Sequence, residues 1–272
     1  MSVTYKNAPL LELIAELRWG ESVASTASAA APPPLPTSIP LRLGSSKEEQ
    51  LLMYLFTVLA AEGYARFERL LPSGIQFPSG QVTSRFRPTA PGRDSPLYQS
   101  GQGIFTANAL PPYESWQKFS PYVQKGIECL MTAHDRAGIP KPNFRAALIR
   151  YIDAFPPSLT GGASLQDFLR DVMQIDISLP DIIRSRVTEE HTIEPVIKLA
   201  AQTSIGRMEL VFSEGPVGNE RAVMADMSVL MLREIGSDVA AAMQVLSDGR
   251  QLIHDLFRGL TAPLHNMMEP IA

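Results

Sequence analysis

The sequence contains little of what metal, redox or disulfide chemistry requires. Its 272 residues include one cysteine, Cys129, and four histidines. A single cysteine excludes a disulfide within the chain, and the histidines show no metal-binding spacing such as His-Glu-x-x-His. The chain also has no Gly-x-Ser-x-Gly elbow and no Walker A motif. We therefore predict no catalytic residue, no cofactor and no metal site.

The sequence also lacks an excess of positive charge and a long apolar run. Its net charge of −4 argues against general nucleic-acid binding, which needs clustered positive charge. No run reaches the roughly 18 apolar residues that span a bilayer, and residues 1–20 lack the pattern of a signal peptide. We expect a cytoplasmic protein that does not bind membranes.

Two long stretches have the alternation of a β-strand. Pro9–Trp19 places leucines and an alanine on one face, and Phe144–Phe155 is of similar length and character. Each is followed by a helical pattern, then by strand-like segments, then by a long closing helix. This order predicts an α+β fold made of a tandem pair of β-α-β-β-β-α units, with antiparallel sheets each backed by a long helix. The Pro-rich stretch 138–142 favours a boundary between residues 1–140 and residues 141–272.

The helical patterns have recognisable ends. Ser46 and Glu49 form a capping-box pattern for a helix that runs to about Glu62. Ser120 and Pro121 are typical of a second helix start. Ser164 predicts a shorter helix ending near Met173. The longest helix is predicted from 237 to about 263. Strands are predicted at 64–72, 81–87, 96–100, 103–109, 192–202, 206–213 and 221–232.

Residues 22–40 are rich in alanine, serine and proline. Such composition favours polyproline II conformation. The segment is interpreted as a surface connection, and a ligand for an SH3-like groove is the alternative.

Five arginines make one region the most basic of the chain, namely Arg66, Arg69, Arg85, Arg87 and Arg93. The first four of them are candidates for a surface that binds an acidic partner. The alternative is a solvated sheet face, on which charged side chains are common.

Asp226 lies within the apolar strand pattern 223–231. An unpaired carboxylate would be costly to bury there, so Arg207 or Arg233 is a candidate structural partner. The alternative is a binding-site acid, with Asp226 and Tyr151 as polar groups of a cavity on the inner sheet face.

Glu12 and Arg150 fall at comparable places in the two long strands. If those strands pair, the two side chains can form a structural ion pair that fixes register between the halves.

Six stretches are informative when taken together, namely Ala8–Glu12, Tyr98-Gln99, Gly103–Asn108, Tyr113–Phe119, Leu148–Asp153 and His254–Phe257. They resemble a sporadically distributed bacterial family of proteins of about this length. The chain departs from the family at residues 22–40, which look like an insertion, and at Asp153, where similar proteins tend to have Asn. The resemblance implies an accessory protein of mobile or defence-type loci, and it brings no catalytic motif to this chain.

The sequence favours a non-enzymatic protein that acts through a protein partner, as an adaptor, an immunity protein or a defence-locus component. A homodimer through the last helix is an additional expectation. The alternative is a small-molecule sensor or an enzyme that uses a cavity between the sheet and the C-terminal helix.

Overall fold

The computed structural model describes residues 4–20, 46–71, 79–178, 180–186 and 195–271. The Ala/Pro-rich segment 22–40 lies outside these residues, so its interpretation stays a prediction.

Six α-helices, one short 3-10 helix (Ala262–Leu264) and eleven strands are present in the described residues. The helices are α1 (Ser46–Ala61), α2 (Trp116–Ala137), α3 (Pro157–Thr160), α4 (Leu165–Asp171), α5 (Asp181–Arg184) and α6 (Val239–Leu260). The strands are β1 (Thr4–Tyr5), β2 (Leu10–Trp19), β3 (Arg66–Arg69), β4 (Val82–Arg87), β5 (Leu97–Gly101), β6 (Ile104–Ala109), β7 (Phe144–Phe155), β8 (Ile197–Gln202), β9 (Arg207–Val217), β10 (Glu220–Gly236) and β11 (Pro270–Ile271).

Nine of these strands form one antiparallel sheet in the order β3-β4-β5-β6-β2-β7-β10-β9-β8. β1 and β11 form a separate antiparallel pair. The α+β class and the antiparallel pairing predicted from the sequence are therefore confirmed. The two initial strands of the prediction, β2 and β7, are neighbours in the middle of the sheet.

The chain divides into two compact units, and both are discontinuous in sequence. One unit comprises residues 1–11, 150–229 and 250–272, and the other comprises residues 12–149 and 230–249. The division passes through β2, β7, β10 and α6. The boundary predicted between residues 140 and 141 stays a prediction.

In the unit that contains residues 12–149, aromatic rings join α1 and α2 to the sheet. Phe56 of α1 lies 5.4 Å from Phe67 of β3, measured between ring centroids. Gly126 of α2 faces the rings of Tyr98 and Phe105 so closely that a Cβ there would lie 2.9 Å from Tyr98 Cδ1 and 3.0 Å from Phe105 Cζ. A glycine is therefore required where α2 crosses β5 and β6.

In the unit that contains residues 150–229, the core is built around Phe155 at the end of β7. Its ring centroid lies 5.3 Å from that of Phe168 on α4 and 6.5 Å from that of Phe257 on α6. Phe212 of β9 is also fully buried. Burying an aromatic side chain contributes on the order of 2–3 kcal/mol relative to leaving it exposed, so this cluster anchors the unit.

The start of the second helix differs from the sequence prediction. The helix begins at Trp116, and Ser115 is the N-cap, whose hydroxyl accepts from the Lys118 amide at 3.3 Å. Pro121 lies inside the helix instead of at its first position. Trp116 and Phe119 are both buried, and their packing offsets the backbone hydrogen bond that Pro121 cannot donate.

The β9–β10 connection is also tighter than predicted. The sequence predicts a loop over 213–220, whereas the strands extend to Val217 and start again at Glu220. Gly218 has a φ of +61°, a conformation that glycine adopts without steric cost. A two-residue turn at Gly218 and Asn219 therefore joins the two long strands.

Candidate functional site

The strand β8 lies at one edge of the sheet and is exposed along nearly its whole length. Within the described residues its only neighbour is β9. Five of its six residues are exposed, and Ile197 is half-buried. Four of the six are apolar, namely Ile197, Leu199, Ala200 and Ala201. An exposed apolar edge strand is a template for pairing with another chain.

The hairpin between β8 and β9 determines which backbone groups of β8 point outward. The Thr203 amide donates to the Gly206 carbonyl at 2.9 Å, which closes the hairpin. Hydrogen-bonded and non-hydrogen-bonded pairs alternate along an antiparallel ladder. With Ala201 opposite Met208 and Leu199 opposite Leu210, residues 197, 199 and 201 bond to β9. The N–H and C=O groups of Lys198, Ala200 and Gln202 therefore point away from the sheet. We call these three residues the β8 edge.

The opposite edge of the sheet, β3, is protected in a way that β8 is not. Three of the four β3 residues are charged, and their side chains bond to Asp94, Glu49 and the arginines of β4. Charged side chains are a common device against unwanted strand pairing. In β8 only Lys198 is charged. The two edges of one sheet thus differ in their openness to a further strand.

Exposed apolar side chains concentrate in the stretch of chain around β8. Among the described residues, nine large apolar side chains are more than a third exposed, and five of them lie between residues 182 and 205. These five are Ile182, Ile183, Val196, Leu199 and Ile205, with Val196 exposed by 71%. Three of the five, Val196, Leu199 and Ile205, lie within β8 or close to it in the sequence.

The four arginines predicted as a partner surface each contact an acid. Arg66 lies 2.9 Å from Asp94, and Arg69 pairs with Glu49. Arg85 and Arg87 both bond to Glu68, at 3.3 and 3.2 Å. Three carboxylates therefore offset most of the positive charge, and a role for these arginines in partner binding stays a prediction.

Arg85 belongs to a row of polar side chains that runs across five strands. Residues paired in register share a face of the sheet. The row consists of Glu68, Arg85, Gln99, Thr106 and Glu16, each opposite the next. Thr106 and Glu16 are buried. Within this row, Glu68 and Arg85 form a cross-strand ion pair at 3.3 Å.

Asp226 is paired, and its partner is Arg150 instead of Arg207 or Arg233. The Arg150 guanidinium donates from Nε at 2.8 Å and from Nη2 at 2.5 Å to the two oxygens of Asp226. Tyr151, the next residue of β7, points to the opposite face by strand alternation. Arg207 bonds to Glu209, and Arg233 bonds to Asp248.

Glu12 accepts a hydrogen bond from the Asn108 amide at 2.7 Å. Asn108 in turn accepts from Thr106 at 2.6 Å. Glu12 and Arg150 thus each have an identified partner, and the ion pair between them stays a prediction.

A buried acid that sequence reasoning did not assign to any site lies two strands from the β8–β9 hairpin. Asp153 of β7 is 2% exposed, and its Oδ2 has no hydrogen-bond partner among the described residues. Burial, together with the nearby Asp226 carboxylate, raises the pKa of Asp153 to about 8. Asp153 is therefore protonated at neutral pH in the folded protein. The sequence feature that indicates burial of Asp153 is its position within the largely apolar strand pattern 148–155.

The paired Asp226 should contribute measurably to stability. We expect Asp226→Ala to lower the free energy of unfolding by roughly 1–2 kcal/mol, because Arg150 keeps its charge in a half-buried position without this partner. Chemical denaturation measures the change. The control is Arg170→Ala, whose ion pairs with Asp167 and Asp171 are exposed. A loss for Asp226→Ala no larger than for the control would contradict a stabilising role.

Comparison with known proteins gives no match: no family model, no curated protein and no solved structure is similar to this chain. Among the described residues, no group of three His, Cys, Asp or Glu side chains could hold a metal ion. No described helix is both long and apolar enough to span a membrane.

Proposed function

We propose that this protein is a non-enzymatic binding module that acts through a protein partner, and that an extended segment of the partner binds at the β8 edge. The observation that carries the proposal is an exposed, mostly apolar edge strand with outward backbone groups at Lys198, Ala200 and Gln202. Addition of a strand to an open sheet edge is a recurring mode of peptide recognition.

The energy available at the β8 edge suits a reversible complex. Each outward residue offers one N–H and one C=O, and each hydrogen bond formed contributes a net of about 0.5–1.5 kcal/mol. Leu199, which is 40% exposed, adds apolar area that a partner strand would cover. These contributions offset the cost of ordering an extended segment.

A proline at position 200 tests the binding mode directly. The Ala200 N–H points away from β9, so Ala200→Pro removes an outward donor without breaking the hairpin, and proline is tolerated on edge strands. We expect the variant to keep its thermal stability and to bind its partner at least about tenfold more weakly. The measurement is affinity for the partner captured by the wild-type protein.

Two matched variants complete this test. Ala200→Thr keeps the N–H and should bind like the wild type. Ala201→Pro removes an amide that bonds to β9, so it should lower the melting temperature. Equal partner affinity of the wild type and Ala200→Pro would contradict the proposal.

The second candidate function is a small-molecule sensor or an enzyme, and Asp153 is the observation that favours it. Buried acids with raised pKa values cluster at functional sites. The test is a thermal-shift screen of metabolites on the wild type and Asp153→Asn. A ligand that stabilises only the wild type would support this candidate.

The tandem duplication and the long helix behind each sheet are part of the proposal. The strand order supports the duplication, because the two halves of the sequence follow the same rule. In β2-β6-β5-β4-β3 and in β7-β10-β9-β8, the first strand of the half lies beside its last strand, and the other strands follow in reverse sequence order. The resemblance to the sporadically distributed bacterial family supports an accessory role, as an adaptor, an immunity protein or a defence-locus component.

A further inference from the structure

The side chains around the β8 edge also restrict which segment can bind there, and this inference rests on the proposed function. A strand added to a sheet places its side chains alternately on the two faces. The two faces of β8 differ in chemistry, so each sets its own requirement.

One face of β8 continues the apolar core of its unit. Ile197, Leu199 and Ala201 lie opposite Phe212, Leu210 and Met208 of β9. Phe212 and Leu210 are buried, so this face leads from the core directly to the edge. Residues of a bound segment that share a face with Ile197, Leu199 and Ala201 extend this apolar layer and must be apolar.

The other face carries a local excess of positive charge. Lys198, Ala200 and Gln202 lie opposite Val211, Glu209 and Arg207. Lys198 Nζ lies 2.8 Å from one oxygen of Glu209, and Arg207 Nε lies 3.1 Å from the other. Two cations share one carboxylate, which leaves a net charge of about +1 on this face. An acidic side chain beside Lys198 would balance it.

We infer that the β8 edge binds an extended segment of a different protein with alternating apolar and polar residues, of which at least one polar residue, adjacent to Lys198, is acidic. Opposite charges across neighbouring strands stabilise the pairing, and like charges destabilise it.

A second copy of this chain fits the β8 edge less well. Strands related by a twofold axis pair antiparallel, and the register that uses all three outward residues of both copies is centred on Ala200. In that register each Lys198 lies opposite the other copy's Gln202, on the face that carries Arg207. This places Lys198 beside a neutral side chain and supplies no acid next to it.

The test uses a displayed library of nine-residue peptides with valine at alternate positions and glutamate, glutamine or lysine between them. We expect the wild-type protein to enrich glutamate over lysine by about threefold or more at one position, the size of an exposed ion pair. Lys198→Gln should abolish this preference, and Lys198→Glu should reverse it. Circular dichroism checks that both variants fold.

The outcomes separate this inference from the proposed function. Suppose that the wild type enriches peptides and that Ala200→Pro abolishes this enrichment. If glutamate is then not preferred, or if Lys198→Glu does not reverse the preference, the inference is overturned and the proposed function stands. If the wild type enriches no peptide more than Ala200→Pro does, both the inference and the proposed function are contradicted. A dimer seen by light scattering for the wild type but not for Ala200→Pro would also overturn the inference, because a second copy would then occupy the β8 edge.

Discussion

Asp153→Asn should make the protein more stable at neutral and alkaline pH. Asp153 has an ordinary pKa of 3.8 as an unfolded carboxyl group and a pKa of about 8 in the folded protein. Between these values the folded state holds a proton that the unfolded state releases. Its contribution to stability is therefore greatest below about pH 4 and is lost as the pH rises to about 8.

The expected size of this effect is large because the carboxyl is fully buried. The linkage is at most about 1.4 kcal/mol per pH unit, so the free energy of unfolding should fall by roughly 2–4 kcal/mol between about pH 5 and pH 8. Asparagine has nearly the same shape and does not ionise. The Asp153→Asn variant should lack this dependence on pH, and its free energy of unfolding should exceed that of the wild type at pH 8.

Chemical denaturation from pH 5 to pH 8 measures both proteins. The difference between them isolates Asp153 from other titrating groups, such as His134, whose pKa is lowered by burial. Asp226→Asn is the control. Removing that nearby carboxylate should lower the pKa of Asp153, so the fall in the free energy of unfolding should end at a lower pH. Parallel stability profiles for the wild type and Asp153→Asn would show that Asp153 is ionised in the folded protein.

Gly126→Ala should destabilise the protein, and Gly259→Ala should stabilise it, although both glycines lie in helices. A Cβ at position 126 would overlap the ring of Tyr98. That ring cannot retreat easily, because Tyr98 is fully buried and its hydroxyl donates to the Tyr122 carbonyl at 2.8 Å. Overpacking costs typically 1–3 kcal/mol, and the better helix propensity of alanine offsets about 1 kcal/mol of it. We expect a net loss of up to about 2 kcal/mol.

Gly259 provides the matched comparison. No atom lies within 4 Å of a Cβ built at this position, so only the helix propensity changes. Because α6 ends at Leu260, the gain should be smaller than in a helix interior, about 0.5 kcal/mol. Thermal and chemical denaturation of both variants show whether each substitution raises or lowers the free energy of unfolding. A stabilising Gly126→Ala would contradict the close approach of α2 to β5 and β6.

The sequence predicts elements well where pattern and packing agree. Ser164 caps a short helix as expected, with its hydroxyl accepting from the Asp167 amide. The start of α2 was missed because two N-cap signals compete, and burial of Trp116 and Phe119 favours Ser115. The rings of Trp116 and Phe119 pack against each other with centroids 6.0 Å apart, and capping signals alone do not resolve that competition.

The candidate site depended even more on long-range pairing. Residues 192–202 are predicted to form a strand, but only the strand order shows that β8 is an edge. Likewise, Asp226 was recognised as an acid that needs a partner, yet Arg150 lies far from it in sequence. The position of Arg150 depends on how β7 and β10 pair, which no local spacing encodes.

The most direct test of the proposed binding mode is residue-resolved amide hydrogen exchange across β8. In the isolated protein we predict fast exchange at Lys198, Ala200 and Gln202 and slower exchange at residues 197, 199 and 201, whose amides bond to β9. Adding the most enriched library peptide should slow exchange at the three outward residues. Outward amides that are already slow in the isolated protein, or that the peptide leaves unchanged, would contradict binding of a partner strand at the β8 edge.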